Sequence, residues 1–308
     1  MLKKAFQEFL VAAVADGKAP RTIKDYQRAL KPFISWCEER GIYSMSQLRP
    51  MDAREYVASL RERHTHWKAA TWAIHVRIVK TFLGWGYREG KMKEDISLAI
   101  RSPKPRVKIE VLPSLEEIAL LLKTTERGYL KDLRDRSIIL TLLDTGMRVG
   151  ELVKLSLRDW QTDNDGRSQV IVFASKTQTY RIVFLGQEST RALVEYLESR
   201  KRRLGELDLS MPLFAGRKND PITDSAIRRM LGKRARKAGL DPKKFHPHIF
   251  RKLLVTSWIN EGGNTILLQY LVGWTSPAMV KFYLLSSVQK IKEAHIQLGL
   301  ADRIKVEM

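Results

Sequence analysis

Six residues stand in a fixed order through the C-terminal two-thirds of this chain. They are Arg148 in Thr145-Gly146-Met147-Arg148, Lys176, His248 and Arg251 in His248-Ile249-Phe250-Arg251, then Trp274 and Tyr283. Five of them can donate hydrogen bonds to an anion, and the sixth can act as a nucleophile. A phosphodiester under attack needs donors around its oxygens, a proton for its leaving group and an attacking atom. Arginine presents a flat fork of donors that matches two phosphate oxygens and does not lose its charge. Arg148 and Arg251 are therefore the expected clamp for the trigonal-bipyramidal state. Tyr283 is the expected nucleophile; a free tyrosine titrates near pH ~10, so it needs a base, and His248 is placed to accept its proton. Lys176 is read as the general acid for the leaving oxygen. Trp274 only donates, through its indole N–H. Glu151, three residues beyond Arg148, is read as an orienting group. Tyr180, Tyr270 and His246 are rival side chains without matching intervals.

The composition points to the kind of partner such a site would meet. Lys and Arg number 55 against 34 Asp and Glu, a formal net charge of +21 in 308 residues. An excess that large favours a polyanion, and nucleic acid first among them. The chain is 44% hydrophobic and 29% charged, which excludes a disordered polymer. The single cysteine, Cys37, excludes an intramolecular disulfide and a cysteine-based zinc cluster. With Phe33, Ile34 and Trp36 around it, Cys37 reads as a small core residue. No signal peptide or membrane-length apolar run is visible, so a cytoplasmic location is expected.

Elements that could position these groups follow from periodicity. Residues 1–100 read as about four helices. The stripe Leu2, Phe6, Phe9, Leu10 and Ala13 marks the first; Ile23, Tyr26, Leu30, Phe33, Trp36 and Cys37 mark the second, with Thr22 as its expected N-cap. A third is expected over Ser46–Arg63 and a fourth around Trp72–Trp85, ending near Gly86. Lys18, Arg21, Lys24 and Arg28 crowd the start of the second helix and could grip phosphates. Residues 101–112, rich in proline and basic side chains, read as an extended linker. The second domain, 113–308, opens on the capping box Ser114-x-x-Glu117. A helix near Leu133–Leu143 should break at Thr145-Gly146, and Arg148–Leu157 should be helical again. The β-rich runs Val170–Phe173 and Tyr180–Phe184 flank Lys176, which places that lysine at a hairpin turn. Further helices are expected at 187–203, 223–238 and 247–261. Arg228, Arg229, Lys233 and Arg234 populate one of them densely enough to suggest phosphate contacts. The resulting class is mainly α with one small antiparallel sheet.

The ordered set resembles the tyrosine recombinase, or phage-integrase-like, family. Thr145-Gly146-Met147-Arg148-Val149-Gly150-Glu151-Leu152, Lys176, His248-Ile249-Phe250-Arg251, Gly273-Trp274 and Tyr283 nine residues on match its boxes in order. Trp274 stands where histidine is commoner, as in Cre-like members, and the Arg251-to-Trp274 interval resembles that of Xer-type members. Glycines that usually flank the hairpin lysine are missing around Lys176. The resemblance implies a two-domain DNA clamp: a helical SAM-like core-binding domain over 1–100 and a catalytic domain over 113–308. It implies a covalent 3′-phosphotyrosine, strand exchange through a Holliday junction and religation, with no metal, ATP or other cofactor. The implied partner is double-stranded DNA carrying inverted-repeat core sites. The amphipathic tail Val288, Ile291, Ala294, His295 and Leu298 would dock on a neighbouring protomer in a tetramer. Because residue 1 already lies near the first helix, a simple member without an arm-binding domain is expected. Two alternatives share these residues: a type IB topoisomerase, which would relax plasmids without paired sites, and a non-catalytic DNA-binding accessory protein, which would be indifferent to Tyr283→Phe.

Overall fold

The computed structural model describes residues 1–103, 111–126, 128–174, 178–216 and 219–276. The chain divides into two compact units, Met1–Lys108 and Ile109–Met308. Each buries a hydrophobic cluster of its own. Residues 104–110 of the expected linker lie outside the described residues.

Four helices build the first unit: α1 (Leu2–Ala15), α2 (Pro20–Glu38), α3 (Pro50–Arg63) and α4 (Ala69–Arg88). Their apolar stripes converge as the periodicity requires. Phe9 of α1 packs edge-on against Phe82 and Trp85 of α4 at 5.3 and 5.4 Å. Phe33 of α2 meets Tyr56 of α3 at 4.8 Å. Cys37 is buried in this core, and burial pushes its thiol pKa up to about 12, so it is unreactive packing. Two helix starts differ from the expectation, both because of proline. Pro20 occupies the first turn of α2, which makes Ala19 the N-cap and puts Thr22 inside the helix; proline's fixed φ is already helical there. Pro50 likewise begins α3 and leaves Arg49 extended, since a residue before proline is pushed out of the α region. Met45–Gln47 forms a separate 3-10 turn closed by Ser44 and Gln47. α4 ends at Arg88, two residues past Gly86. A Cβ on it would lie 2.1 Å from Met45 Cε, so glycine there lets that turn pack onto the helix.

In the second unit come α5 (Leu115–Lys123), α6 (Leu130–Thr145), α7 (Val149–Leu152), β1 (Trp160–Thr162), β2 (Ser168–Ala174), β3 (Thr179–Leu185), α8 (Gln187–Leu204), α9 (Asp224–Lys237), α10 (Pro247–Asn260) and α11 (Thr265–Val272). The capping box forms as its sequence predicts: Ser114 N donates to Glu117 Oε2 at 3.0 Å and Glu117 N to Ser114 Oγ at 3.2 Å. The sheet is antiparallel in the order β1-β2-β3, with Ala174 opposite Thr179. β1 was not legible in the sequence, being only three residues long. The helix expected over Arg148–Leu157 is reduced to α7, followed by a 3-10 turn at Leu157–Asp159. Along β3 the alternation buries Arg181, Val183 and Leu185. Val170, Val172, Val183 and Leu185 of the sheet join Ile138, Ile139 and Leu142 of α6 and Ile249 and Phe250 of α10 in one core. The architecture is thus mainly helical with one small antiparallel sheet.

Candidate active site

Thr145-Gly146 ends α6 by local chemistry. Thr145 Oγ1 donates to Thr141 O at 2.6 Å and accepts from Met147 N at 3.3 Å, while Gly146 takes φ +54°. That left-handed turn suits glycine. A side chain here would also strike Leu254 Cδ2 at 2.8 Å. The turn delivers Arg148 to the N-cap of α7, where a capping box fixes it. Glu151 Oε2 accepts from Arg148 N, and Oε1 accepts from Arg148 Nη1, each at 2.9 Å.

A second left-handed glycine, Gly273 at φ +66°, ends α11. Its turn is closed by Gly273 N donating to Tyr270 O and Trp274 N to Gln269 O, at 3.1 and 3.0 Å. The last carbonyls of a helix lack intrahelical partners and carry partial negative charge. Three successive carbonyls here each accept from a different arginine. Arg181 Nε donates to Leu271 O at 2.9 Å, Arg251 Nη2 to Val272 O at 2.6 Å, and Arg148 Nη2 to Gly273 O at 3.3 Å. Arg251 also donates from Nη1 to Gly146 O at 2.9 Å. It thereby ties both glycine turns together. Trp274 follows directly, buried, with the Arg251 guanidinium 5.6 Å from its ring centre.

The structure therefore gathers Arg148, Glu151, Arg251 and Trp274 at one place. His248 lies exposed in the first turn of α10, three residues before Arg251 and so on the same side of that helix. Lys176, Tyr283 and the tail beyond Ser286 fall outside the described residues. The rival tyrosines Tyr180 and Tyr270 are both largely exposed. Burial differs between the two arginines: Arg251 is buried, whereas the Arg148 side chain keeps 47% of its surface open.

Arg181 is the member that sequence reasoning missed. It is buried and grips Glu151 with both terminal nitrogens, at 2.7 and 3.2 Å. A Cβ at Gly273 would come within 3.0 Å of the same guanidinium, which is a second reason for glycine there. The signal was available: Arg181 alternates with Val183 and Leu185, which places it on the inward face of its strand. Burial pushes the Glu151 carboxyl pKa up, but the Arg181 hydrogen bond and charge, with the Arg148 contacts, more than reverse this and hold it below the usual value. A depressed carboxylate pKa stabilises the fold above the unfolded value near ~4.3 and loses that contribution as pH falls through the folded value. Glu151→Gln should accordingly flatten the acid limb of the stability–pH curve of the second unit, measured by thermal melts between pH 7 and 3. An unchanged acid limb would refute the assignment.

The candidate DNA-contacting residues separate into groups. On α2, Arg21, Lys24 and Arg28 are exposed at intervals of three and four, with Lys18 exposed just before the helix. Asp25 pairs with both Arg21 and Arg28. On α9, Arg228, Arg229 and Lys233 are exposed. Arg234 is not a surface donor as the charge pattern suggested. Its guanidinium is buried against Asp132 and Asp135 and donates to Thr124 O at 2.6 Å. The same helical periodicity that exposes Lys233 turns Arg234 inward. Among the described residues no group of three or more metal-ligating side chains could hold an ion, and no helix is long and apolar enough to cross a membrane.

Comparison with known proteins adds the lineage. Residues 114–290 match the model of the phage integrase family, and residues 4–89 match that of the phage integrase N-terminal SAM-like domain. The chain belongs to the phage integrase family and is a tyrosine-type site-specific recombinase. It is similar to tyrosine recombinase XerC of Leptospira interrogans, 28% identical over 277 residues covering 89% of this chain and 86% of that protein. Tyrosine recombinase XerD of Bifidobacterium longum is 24% identical, over 94% and 95% of the two chains. In fold, the chain resembles the XerH site-specific recombinase bound to a palindromic difH substrate in a post-cleavage complex. That likeness has a TM-score of 0.71 at 19% identity and covers 91% of this chain and 80% of the other.

Proposed function

We propose that this recombinase cleaves duplex DNA by attack of Tyr283 on a phosphodiester, leaving a 3′-phosphotyrosine and a free 5′-hydroxyl. The phosphodiester energy is conserved in the covalent bond, so a 5′-hydroxyl from a second duplex can reverse the step and rejoin the strands. In this reading Arg148 and Arg251 hold the non-bridging oxygens, His248 takes the tyrosine proton, Lys176 protonates the leaving oxygen and Trp274 donates through its indole N–H. Arg181 and Glu151 position the arginines without touching substrate. The observation that supports it is the three arginines on three successive carbonyls of the α11 terminus, beside Trp274. Such preorganised donors stabilise developing charge without rearranging during the reaction.

Strand exchange would proceed through a Holliday junction within a tetramer on inverted-repeat core sites, with the tail from Ser286 docking on a neighbouring protomer. Lys18, Arg21, Lys24 and Arg28 of the first unit and Arg228, Arg229 and Lys233 of the second would contact the DNA backbone. Reaction on chromosomal or plasmid DNA would place the protein in the cytoplasm.

Nicked suicide duplexes drawn from the protein's own genomic neighbourhood test the reading. The wild type should yield an SDS-stable, protease-sensitive DNA adduct, and Tyr283→Phe none. An adduct that survives Tyr283→Phe would move the nucleophile elsewhere and overturn the proposal.

A further inference from the structure

Where the chain leaves α11, the carbonyls of four successive residues each accept from a side chain. Leu271 O, Val272 O and Gly273 O take Arg181, Arg251 and Arg148. The fourth, Trp274 O, takes a neutral donor, Gln269 Nε2 at 3.2 Å. Gln269 O accepts in turn from Trp274 N at 3.0 Å. One residue thus holds both the N–H and the C=O of Trp274. The backbone bond is the ordinary closure of a helix that ends on a left-handed glycine. The side-chain bond is additional and depends on residue type, because it needs a donor on a long side chain. Methionine or leucine would serve the helix equally well and could not make it.

Trp274 is the residue for which this grip matters. Its side chain is buried in a small cluster with Val255, Ile259, Leu268 and Val272, and the Arg251 guanidinium lies 5.6 Å from its ring centre. Gly273, at φ +66°, has just turned the chain out of the helix, and glycine adds no stiffness of its own. With planar peptides, only φ and ψ of Trp274 remain to be set. The direction of its N–H sets φ and the direction of its C=O sets ψ. The two Gln269 bonds together therefore fix the backbone from which the indole projects. The neutrality of the donor is also explained. Three guanidinium groups already occupy the preceding carbonyls, and a fourth cation would add like-charge repulsion. An amide holds the carbonyl without it.

We propose that Gln269 is a positioning residue for the cleavage step: it fixes the Trp274 backbone, and through it the indole N–H, without touching substrate. The inference rests on the reading of Trp274 as a donor to the phosphate. A donor held on target stabilises developing charge without rearranging, and a displacement of about 1 Å is enough to slow a reaction on the order of 10²-fold. A purely structural role for Gln269 in the last turns of α11 predicts something different. It would lower the melt, and cleavage would fall only with the folded fraction.

The test is a double-mutant cycle on the full-length protein, reading single-turnover cleavage of a suicide duplex, Kd for the same duplex and the thermal melt. Gln269→Met keeps side-chain length and helix preference but has no donor. It should slow cleavage about tenfold or more, leave Kd within a factor of about two and keep Tm within about 2 °C. Gln269→Ala repeats the measurement should the thioether disturb α11. Trp274→Phe retains an aromatic ring but removes the N–H, and should itself slow cleavage. In that background Gln269→Met should add less than about a twofold further loss, because both changes act through one group. Losses that multiply would overturn the proposal. So would wild-type cleavage by Gln269→Met and Gln269→Ala, or a loss carried by Kd or Tm instead of the rate. Trp274→Phe cleaving at the wild-type rate would remove the donor itself and overturn this inference together with the reading of Trp274. That outcome is visible in the single variant, so it is distinguishable from failure of Gln269 alone.

Discussion

Arg251→Ala is expected to reduce single-turnover cleavage of a suicide duplex by a factor of about 10³ or more, the loss seen when a key donor to a charged transition state is removed. The structural basis is that Arg251 is buried between both glycine turns, bonded to Gly146 O and Val272 O and set against Trp274. Truncation also leaves two carbonyls without a partner, at about 1–3 kcal/mol for each group that water cannot reach. The second unit should therefore melt lower as well. Arg251→Lys separates the two effects. It keeps a charge but cannot fork, so activity should stay depressed while much of the stability returns. Cleavage by Arg251→Ala within about tenfold of wild type would remove this residue from the proposed chemistry.

The largest stability effect is expected from Asp135→Ala, far from the reacting groups. Asp135 is fully buried and receives Arg134 at 2.8 Å and Arg234 at 2.6 Å. Arg234 itself is buried, with Asp132 as its other acidic partner. Deleting one member of such a network strands a charge in the interior and costs about 3–5 kcal/mol. For a unit of some 200 residues that corresponds to a fall in Tm on the order of 10 °C. Asp132→Ala/Asp135→Ala/Arg234→Met removes both carboxylates and the guanidinium between them and should recover a large part of the loss, since the penalty comes from the unpaired ion rather than from the missing bond. A single variant that melted within about 1 °C of wild type would show that the network contributes nothing net.

Arg251 and Arg234 mark the boundary of what the sequence could say. Arg251 was legible because its role follows from type and spacing: an arginine three residues after His248 on one helix side, with a left-handed glycine and tryptophan downstream. Arg234 was misread because a run of basic residues looks the same whether a given member faces solvent or a buried aspartate. Its partners, Asp132 and Asp135, lie about a hundred residues earlier in the chain. Arg181 went unnoticed for the same reason. Its inward position could be read from strand alternation, but its bonds to Glu151 and Leu271 O join β3 to α7 and α11. Thr22 illustrates a local competition instead, where proline at the first helical position outweighed a hydroxyl cap.

The sequence by itself determined the helical stripes, the capping box at Ser114, the hairpin pairing and the order of the chemically capable residues. All of these depend on contacts within a few residues, where periodicity and backbone preference dominate. Only the tertiary structure decided which cations were available and which were consumed. It set Arg148 half open and Arg251 buried, and spent Arg181 and Arg234 on internal carboxylates. The fate of a charge depends on which distant acid or carbonyl reaches it and on how much water remains, and neither is written in the neighbouring residues.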